Sequence, residues 1–167
     1  MGLQKNIGYK LIKASASFVR PSDTTAYAVG DAITNSTSAP VVFQIDLAPF
    51  SSFSQEIEVR KIAVTSSAKQ ATLPLINVFL STTTFTATND NSALDIADAT
   101  MEADGSWFNC DVQNSTASNS RVAQLQCNSP MVLEANSTKL FGTLQAANAY
   151  TPVSGEKFTI MIWVALL

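Results

Sequence analysis

The stretch that most constrains this chain is Glu156 to Leu167, where Phe158, Ile160, Ile162, Val164 and Leu166 alternate with Met161, Trp163, Ala165 and Leu167. An antiparallel strand with one wet face alternates apolar with polar residues, so a strand apolar on both faces must be central and covered twice, or pressed against another subunit. The chain must therefore place its end inside a sheet. Met161 and Trp163, on the second of those faces, are candidates for contact with a partner.

The rest of the chain also reads as strands. Phe43, Ile45 and Leu47 alternate with Gln44 and Asp46, the period of a half-buried strand. From Gln55 to Ser66, Ile57 and Val59 share a face, but Ile62 and Val64 continue the apolar series only if one extra residue intervenes at Arg60-Lys61. Such a slip is a β-bulge, or else a strand that crosses between sheets. Ala71 to Leu80 is apolar on both faces and belongs mid-sheet, with Pro74 near its start, where a missing N–H costs least.

Ser106–Val112, Arg121–Cys127, Met131–Ala135 and Lys139–Leu144 read as four more strands, separated by Asn- and Ser-rich turns. Asp31–Asn35 is a short strand, Ala48–Ser54 a loop, and Ser81–Thr88 a connector or weak edge strand. One helix is expected, Ser92–Met101, with Asp90 or Asn91 as cap, Asp95 in its first turn, and Leu94, Ala97 and Met101 on one side.

The expected fold is all-β: an antiparallel β-sandwich or jelly-roll-like barrel with one short helix and an extended N-terminal arm. Residues 1–167 form one domain, residues 1–20 being the arm and first strand. A chain of 167 residues can bury about two thirds of its unfolded surface without a staple. Cys110 and Cys127 lack zinc-site spacing and read as buried hydrophobes, with a disulfide open only if their strands are neighbours.

Chemistry is sparse. The chain has no histidine, which removes Ser-His-Asp and Cys-His activation and the commonest metal ligand. No phosphate-binding glycine loop occurs. Asp90, Asp95, Asp98, Glu102, Asp104 and Asp111 cluster in sequence, but without the spacing of a calcium loop, and they read as a solvated acidic surface. No catalytic residue, cofactor or metal is expected. A net charge of −3 opposes a nucleic-acid partner, and no apolar run suits a membrane span or a signal peptide. A soluble chain made in a cytoplasm is expected.

Lys5, Lys10, Lys13 and Arg20 precede the first acidic residue, Asp23, so the arm is the basic end of the molecule. Basic and acidic regions at separate places can guide contacts between neighbouring copies or onto an acidic surface. These four residues are further contact candidates. After the arm comes Arg20-Pro21-Ser22-Asp23-Thr24-Thr25-Ala26-Tyr27-Ala28-Val29-Gly30-Asp31. Pro21 pushes Arg20 into an extended conformation, Asp23, Thr24 and Thr25 can bond neighbouring backbone, Tyr27 can pin the turn to a sheet edge, and Gly30 permits a positive φ before Asp31. The turn would hold the arm at a fixed angle.

This run resembles the Arg-Pro-x-Asp-Thr-Thr-Ala-Tyr-x-x-Gly-Asp pattern of small virion structural proteins of tailed bacteriophages. The resemblance continues more loosely through Val78-Phe79-Leu80, Asn89 to Ala93, Tyr150-Thr151-Pro152 and Ser154 to Phe158. It implies a non-enzymatic capsid decoration (cement) protein on the outer surface of the phage head. Its partners would be the major capsid protein and neighbouring copies, which for decoration proteins are often trimers. The alternative is a receptor- or carbohydrate-binding module of a head fibre or tail. A solvent-facing Trp107 in a pocket with Asp104 and Asn109 would favour that reading.

Overall fold

The computed structural model describes residues 11–47, 56–68, 74–103, 105–110, 112–113, 121–132 and 138–166. Its strands are β1 (Leu11–Val19), β2 (Ala32–Ile33), β3 (Phe43–Asp46), β4 (Glu56–Ser66), β5 (Ile76–Ser81), β6 (Ser106–Cys110), β7 (Val112–Gln113), β8 (Arg121–Val132), β9 (Lys139–Ala146) and β10 (Lys157–Leu166), with one helix, α1 (Asp98–Ala103).

Two antiparallel sheets result. One runs β1-β10-β4-β8-β7, the other β2-β9-β5-β6, and β3 lies beside β2 on the same edge of β9. Setting aside the two-residue strands β2 and β7 and renumbering the rest one to eight, the orders are 1-8-3-6 and 2-7-4-5. Consecutive strands alternate between sheets except at the fourth and fifth, and the first and last lie side by side. That interleaving is the double Greek key of a jelly roll.

The core lies between the sheets. Phe158, Ile160, Ile162 and Val164 of β10 meet Ile57, Val59, Ile62 and Val64 of β4 and, from the other sheet, Ile45, Val78, Leu80, Leu140 and Leu144. As the alternation requires, β10 is central, flanked by β1 and β4 along its length. The slip in β4 is a bulge: Lys61 pairs with Trp163 but Val59 with Val164, so Arg60 is the extra residue. Ile57 and Ile62 are both fully buried as a result. β5 is likewise interior, between β9 and β6.

Close approach of backbone to ring explains Gly142. A Cβ there would lie 2.6 Å from the Phe79 carbonyl oxygen and as close to the ring of Phe43.

Two expectations need correction. Arg121–Cys127 and Met131–Ala135 are one strand: β8 runs through Asn128-Ser129-Pro130, its own irregularity falling opposite the β4 bulge. Pro130 is tolerated because β7 pairs only with Val122 and Ala123, leaving β4 as the one described partner there. Of the two readings of Ser81–Thr88, connector and weak edge strand, the structure takes the connector, with no strand beyond Ser81. The helix is shorter and later than its pattern predicts, starting at Asp98, with no buried residue. Residues 91–94 are instead drawn into pairing with β2. Ala32 N–H donates to Ser92 O at 2.8 Å, Asn91 N–H to Ala32 O at 3.0 Å and Leu94 N–H to Gly30 O at 2.9 Å. Asp98, not Asp95, occupies the first turn. The Ala48–Ser54 loop lies outside the described residues.

Candidate functional site

The Arg20-to-Asp31 motif is the most highly connected polar feature among the described residues. Arg20 ends β1, where its N–H donates to Glu156 O at 3.0 Å. Pro21 carries the chain off the sheet, and its carbonyl accepts from Gly155 N–H at 3.3 Å. The Arg20 side chain turns inward. Nε donates to Tyr27 Oη at 2.9 Å, Nη1 to Asp23 O at 2.6 Å, and Nη2 to Asp23 Oδ1 at 3.0 Å and Asp90 Oδ2 at 3.3 Å. Asp90 Oδ1 in turn accepts from Tyr27 Oη at 2.7 Å and from Thr34 N–H at 2.8 Å.

The turn that frames this network follows from its residue types. Asp23 Oδ1 accepts from Thr25 N–H at 3.0 Å, and Asp31 Oδ2 from Ala28 N–H at 2.7 Å, side chains replacing backbone partners as Asx turns do. Gly30 has φ 95°, which only glycine adopts freely. Tyr27 N–H donates to Tyr150 O at 3.0 Å, and the two rings stack at 5.1 Å. Tyr27 thus pins the turn to the chain just after β9. Thr24 is exposed.

Burial sets the electrostatics. It pushes the Asp90 carboxyl above the usual range, against the Thr34 N–H, the Tyr27 hydroxyl and Arg20. Burial lowers the Arg20 value, but Tyr27, Asp23 and Asp90 outweigh it and the guanidinium is held more firmly protonated than usual. Burial and then Asp90 raise the Tyr27 phenol. Asp23, more exposed, is lowered by the Thr25 N–H and by Arg20. The guanidinium and the Asp90 carboxylate have no exposed side-chain surface, so nothing outside the molecule can reach them. The network is a clamp joining β1, β2 and the segment before α1. Arg20, a contact candidate by sequence, is corrected to an internal residue, because its charge finds partners 3 and 70 positions away. From the sequence, Asp90 was legible as a helix cap or as part of a solvated acidic surface.

The other contact candidates are outside the clamp. Lys5 and Lys10 lie outside the described residues. Lys13, Trp163 and Lys61 form one row across β1, β10 and β4. The two ammonium groups lie 5.2 and 4.7 Å from the indole centre, a cation–π bracket on both sides. Met161 sits in the next row, between Ser15 and Ala63. Met161 and Trp163 are half-buried, so the outer face of β10 is narrowed by its neighbours without being closed.

The outer face of the second sheet is covered by the chain between β5 and β6. Phe79 projects from that face yet is fully buried, against Phe85 at 5.3 Å and Trp107 at 5.1 Å. Trp107 remains 41% exposed, and Asn109 beside it in β6 is exposed; Asp104 lies outside the described residues. Two open grooves flank the chain here. One of about 580 Å³ runs between Thr84–Asn89 and Asp95, Ala97 and Thr100; another of about 510 Å³ runs between the same segment and Ser38, Pro40, Val41, Val42 and Gln44.

Among the described residues no three of His, Cys, Asp or Glu gather as a metal site. Asp90 is withdrawn from the acidic cluster by the clamp, and Asp104 and Asp111 are not described. Cys110 is fully buried, while the Cys127 side chain is outside the described set. Among the described residues no helix is long and apolar enough to cross a membrane.

The pairing defines the class of this protein as an antiparallel jelly roll. No family model and no curated protein matches the chain. Among solved structures it is similar to a chain of the cyanophage Pam1 capsid asymmetric unit, with 12% identity, 100% of this chain and 91% of that one covered, and a TM-score of 0.36. It is similar also to the BFDV capsid protein, with 8% identity, coverage of 95% and 99%, and a TM-score of 0.35. The CBM22-1-GH10 modules of Clostridium thermocellum xylanase 10B give 9% identity, coverage of 92% and 26%, and a TM-score of 0.34. These are likenesses of general shape; the jelly-roll assignment stands on the strand pairing.

Proposed function

We propose that this chain is a structural protein of a bacteriophage virion, a decoration subunit that binds the assembled head through the major capsid protein. The observation that supports this best is where the motif lies. Arg20, Tyr27 and Gly30, which carry the resemblance to small phage virion proteins, are the residues on which the corner between β1 and β2 depends. The resemblance therefore falls on fold-determining positions. Jelly rolls serve chiefly as capsid domains, lectins and cupins, and a metal-dependent enzyme on this scaffold would draw on histidines that the sequence lacks.

In this reading the protein is not an enzyme, needs no cofactor, and acts by linkage. A partner that binds only the closed lattice stabilises it by the free energy of binding. The half-exposed row Lys13-Trp163-Lys61 with Met161 is the capsid-facing surface, assisted by Lys5 and Lys10 of the arm. Neighbouring copies, as trimers in the manner the resemblance implies, share the outer surface of the head, and assembly takes place in the host cytoplasm without membrane or nucleic acid. The test is the copy number per purified particle, by quantitative mass spectrometry against the major capsid protein. A simple lattice ratio is expected.

A second reading, a receptor- or carbohydrate-binding module of a head fibre or tail, is favoured by one observation. Trp107 is 41% exposed and held by Phe79, as a sugar-stacking ring would be. Only a handful of copies per particle would support this reading instead.

A further inference from the structure

The segment Thr84–Thr88 has the attributes of an unpaired strand. Thr84 and Thr86 are exposed while Phe85 and Ala87 are partly buried, and Phe85 is fixed edge-on to Phe79. The next anchor is Thr88, whose Oγ1 donates to Asp95 O at 2.9 Å and accepts from Asp95 N–H at 3.1 Å. Between these anchors, no backbone hydrogen bond of Thr84, Phe85, Thr86 or Ala87 is made to any described residue. Grooves of about 580 and 510 Å³ lie along both sides of it. A held segment with open backbone groups and room alongside is a template for strand addition.

We propose that this segment receives the N-terminal arm, residues 1–10, of a neighbouring copy as an added strand. Charge is the first argument. Asp95 lines one groove; it and Asp98 and Glu102 of α1 are exposed, and no ion pair within the described residues involves them. The arm carries Lys5 and Lys10 and no acidic residue, and Leu3, Ile7 and Tyr9 share one parity with Lys5, against Gln4, Asn6, Gly8 and Lys10 on the other. Strand addition needs such alternation, since side chains enter pockets at every second position.

Reach is the second argument, and it selects the neighbour. Ten extended residues span about 33 Å, and the five of Thr84–Thr88 need about 16 Å of that. The molecule's own arm starts at β1, an edge of the first sheet, whereas the segment lies over the far side of the second. Crossing two layers takes about 20 Å, which leaves too little to pair along the segment. The inference does not depend on the proposed decoration role.

The experiment uses the full chain. Sedimentation at low salt should show concentration-dependent association, and amide exchange at Thr84 to Ala87 should slow about tenfold on association. K5E/K10E should weaken association about tenfold, and D95K/D98K added to it should restore binding. Thr86→Pro, which removes the central N–H without altering charge, should abolish both effects. A wild-type chain that stays monomeric at about millimolar concentration, or association unchanged in K5E/K10E, overturns the proposal. Slow exchange at these amides in the monomer would assign the segment to the chain's own arm and overturn it equally.

Discussion

Arg20 and Asp90 stand 70 positions apart in the chain and meet at 3.3 Å with no side-chain surface left exposed. Removing one partner of a buried pair strands the other, which is far costlier than replacing both. Asp90→Asn should therefore lower unfolding free energy by about 3 kcal/mol in chemical denaturation. Arg20→Met combined with Asp90→Leu should cost clearly less than the two single changes added together. Additive costs would show that the pair is not coupled.

The two stacked tyrosines should respond oppositely to loss of their hydroxyls. Tyr27 Oη sits between Arg20 Nε and Asp90 Oδ1, whereas Tyr150 Oη is buried with no hydrogen-bond partner among the described residues. Tyr27→Phe should destabilise by about 1 to 3 kcal/mol, and Tyr150→Phe should be neutral or stabilising. Melting curves of the two variants decide it.

Acid tests the bonds that Asp23 makes. Its folded pKa is depressed below 3.8, so its stabilisation is present above that value and lost as pH falls through the lower folded one. Asp23→Asn should melt below wild type near neutral pH, and the gap should close in strong acid. A gap that does not depend on pH would mean that Asp23 acts through shape alone.

Alkali tests the tyrosines in the other sense. Burial raises both phenols above the ordinary 10.0, so the folded state keeps protons that the unfolded chain would release. Their contribution is whole below 10.0 and declines as pH rises beyond it. Phenolate absorbance from Tyr27 and Tyr150 should thus appear together with loss of structure, which Phe variants can assign by difference.

Gly142→Ala should cost about 1 to 3 kcal/mol. Its Cβ would press on the Phe79 carbonyl oxygen at 2.6 Å, and backbone cannot swing aside as a side chain does. Phe43→Leu in the same chain should relieve only part of the loss, since it frees only the ring side.

The parts of this fold that were legible in the sequence are those governed by local period. The parity slip at Arg60-Lys61 gave the bulge, and the two-faced apolar run of β10 gave its central place. The turn chemistry around Asp23 and Gly30 could also be read directly. Long-range polar pairing could not. Nothing near Asp90 indicates that its carboxylate serves Arg20, and a helix cap was the natural local reading. Leu94, Ala97 and Met101 have helical spacing, yet pairing of the preceding residues with β2 outweighed a propensity with no core to support it. Asn128-Ser129-Pro130 has turn composition, but β4 offers it a bulged partner and β8 continues. At Trp163 the sequence marked a partner surface, and the lysines that bracket the ring were hidden in the register of three strands.

The pairing of Leu11 with Ala165, at the outer ends of β1 and β10, has a mechanical side. The start of β1 and the end of β10 lie side by side at one end of this ladder, so opposing pulls on the two load it one rung at a time. Under tension this ladder should unzip from that end at low force, where a pull along the strands would have to shear all their hydrogen bonds together. Anything attached at both ends shares a single, compliant mooring point.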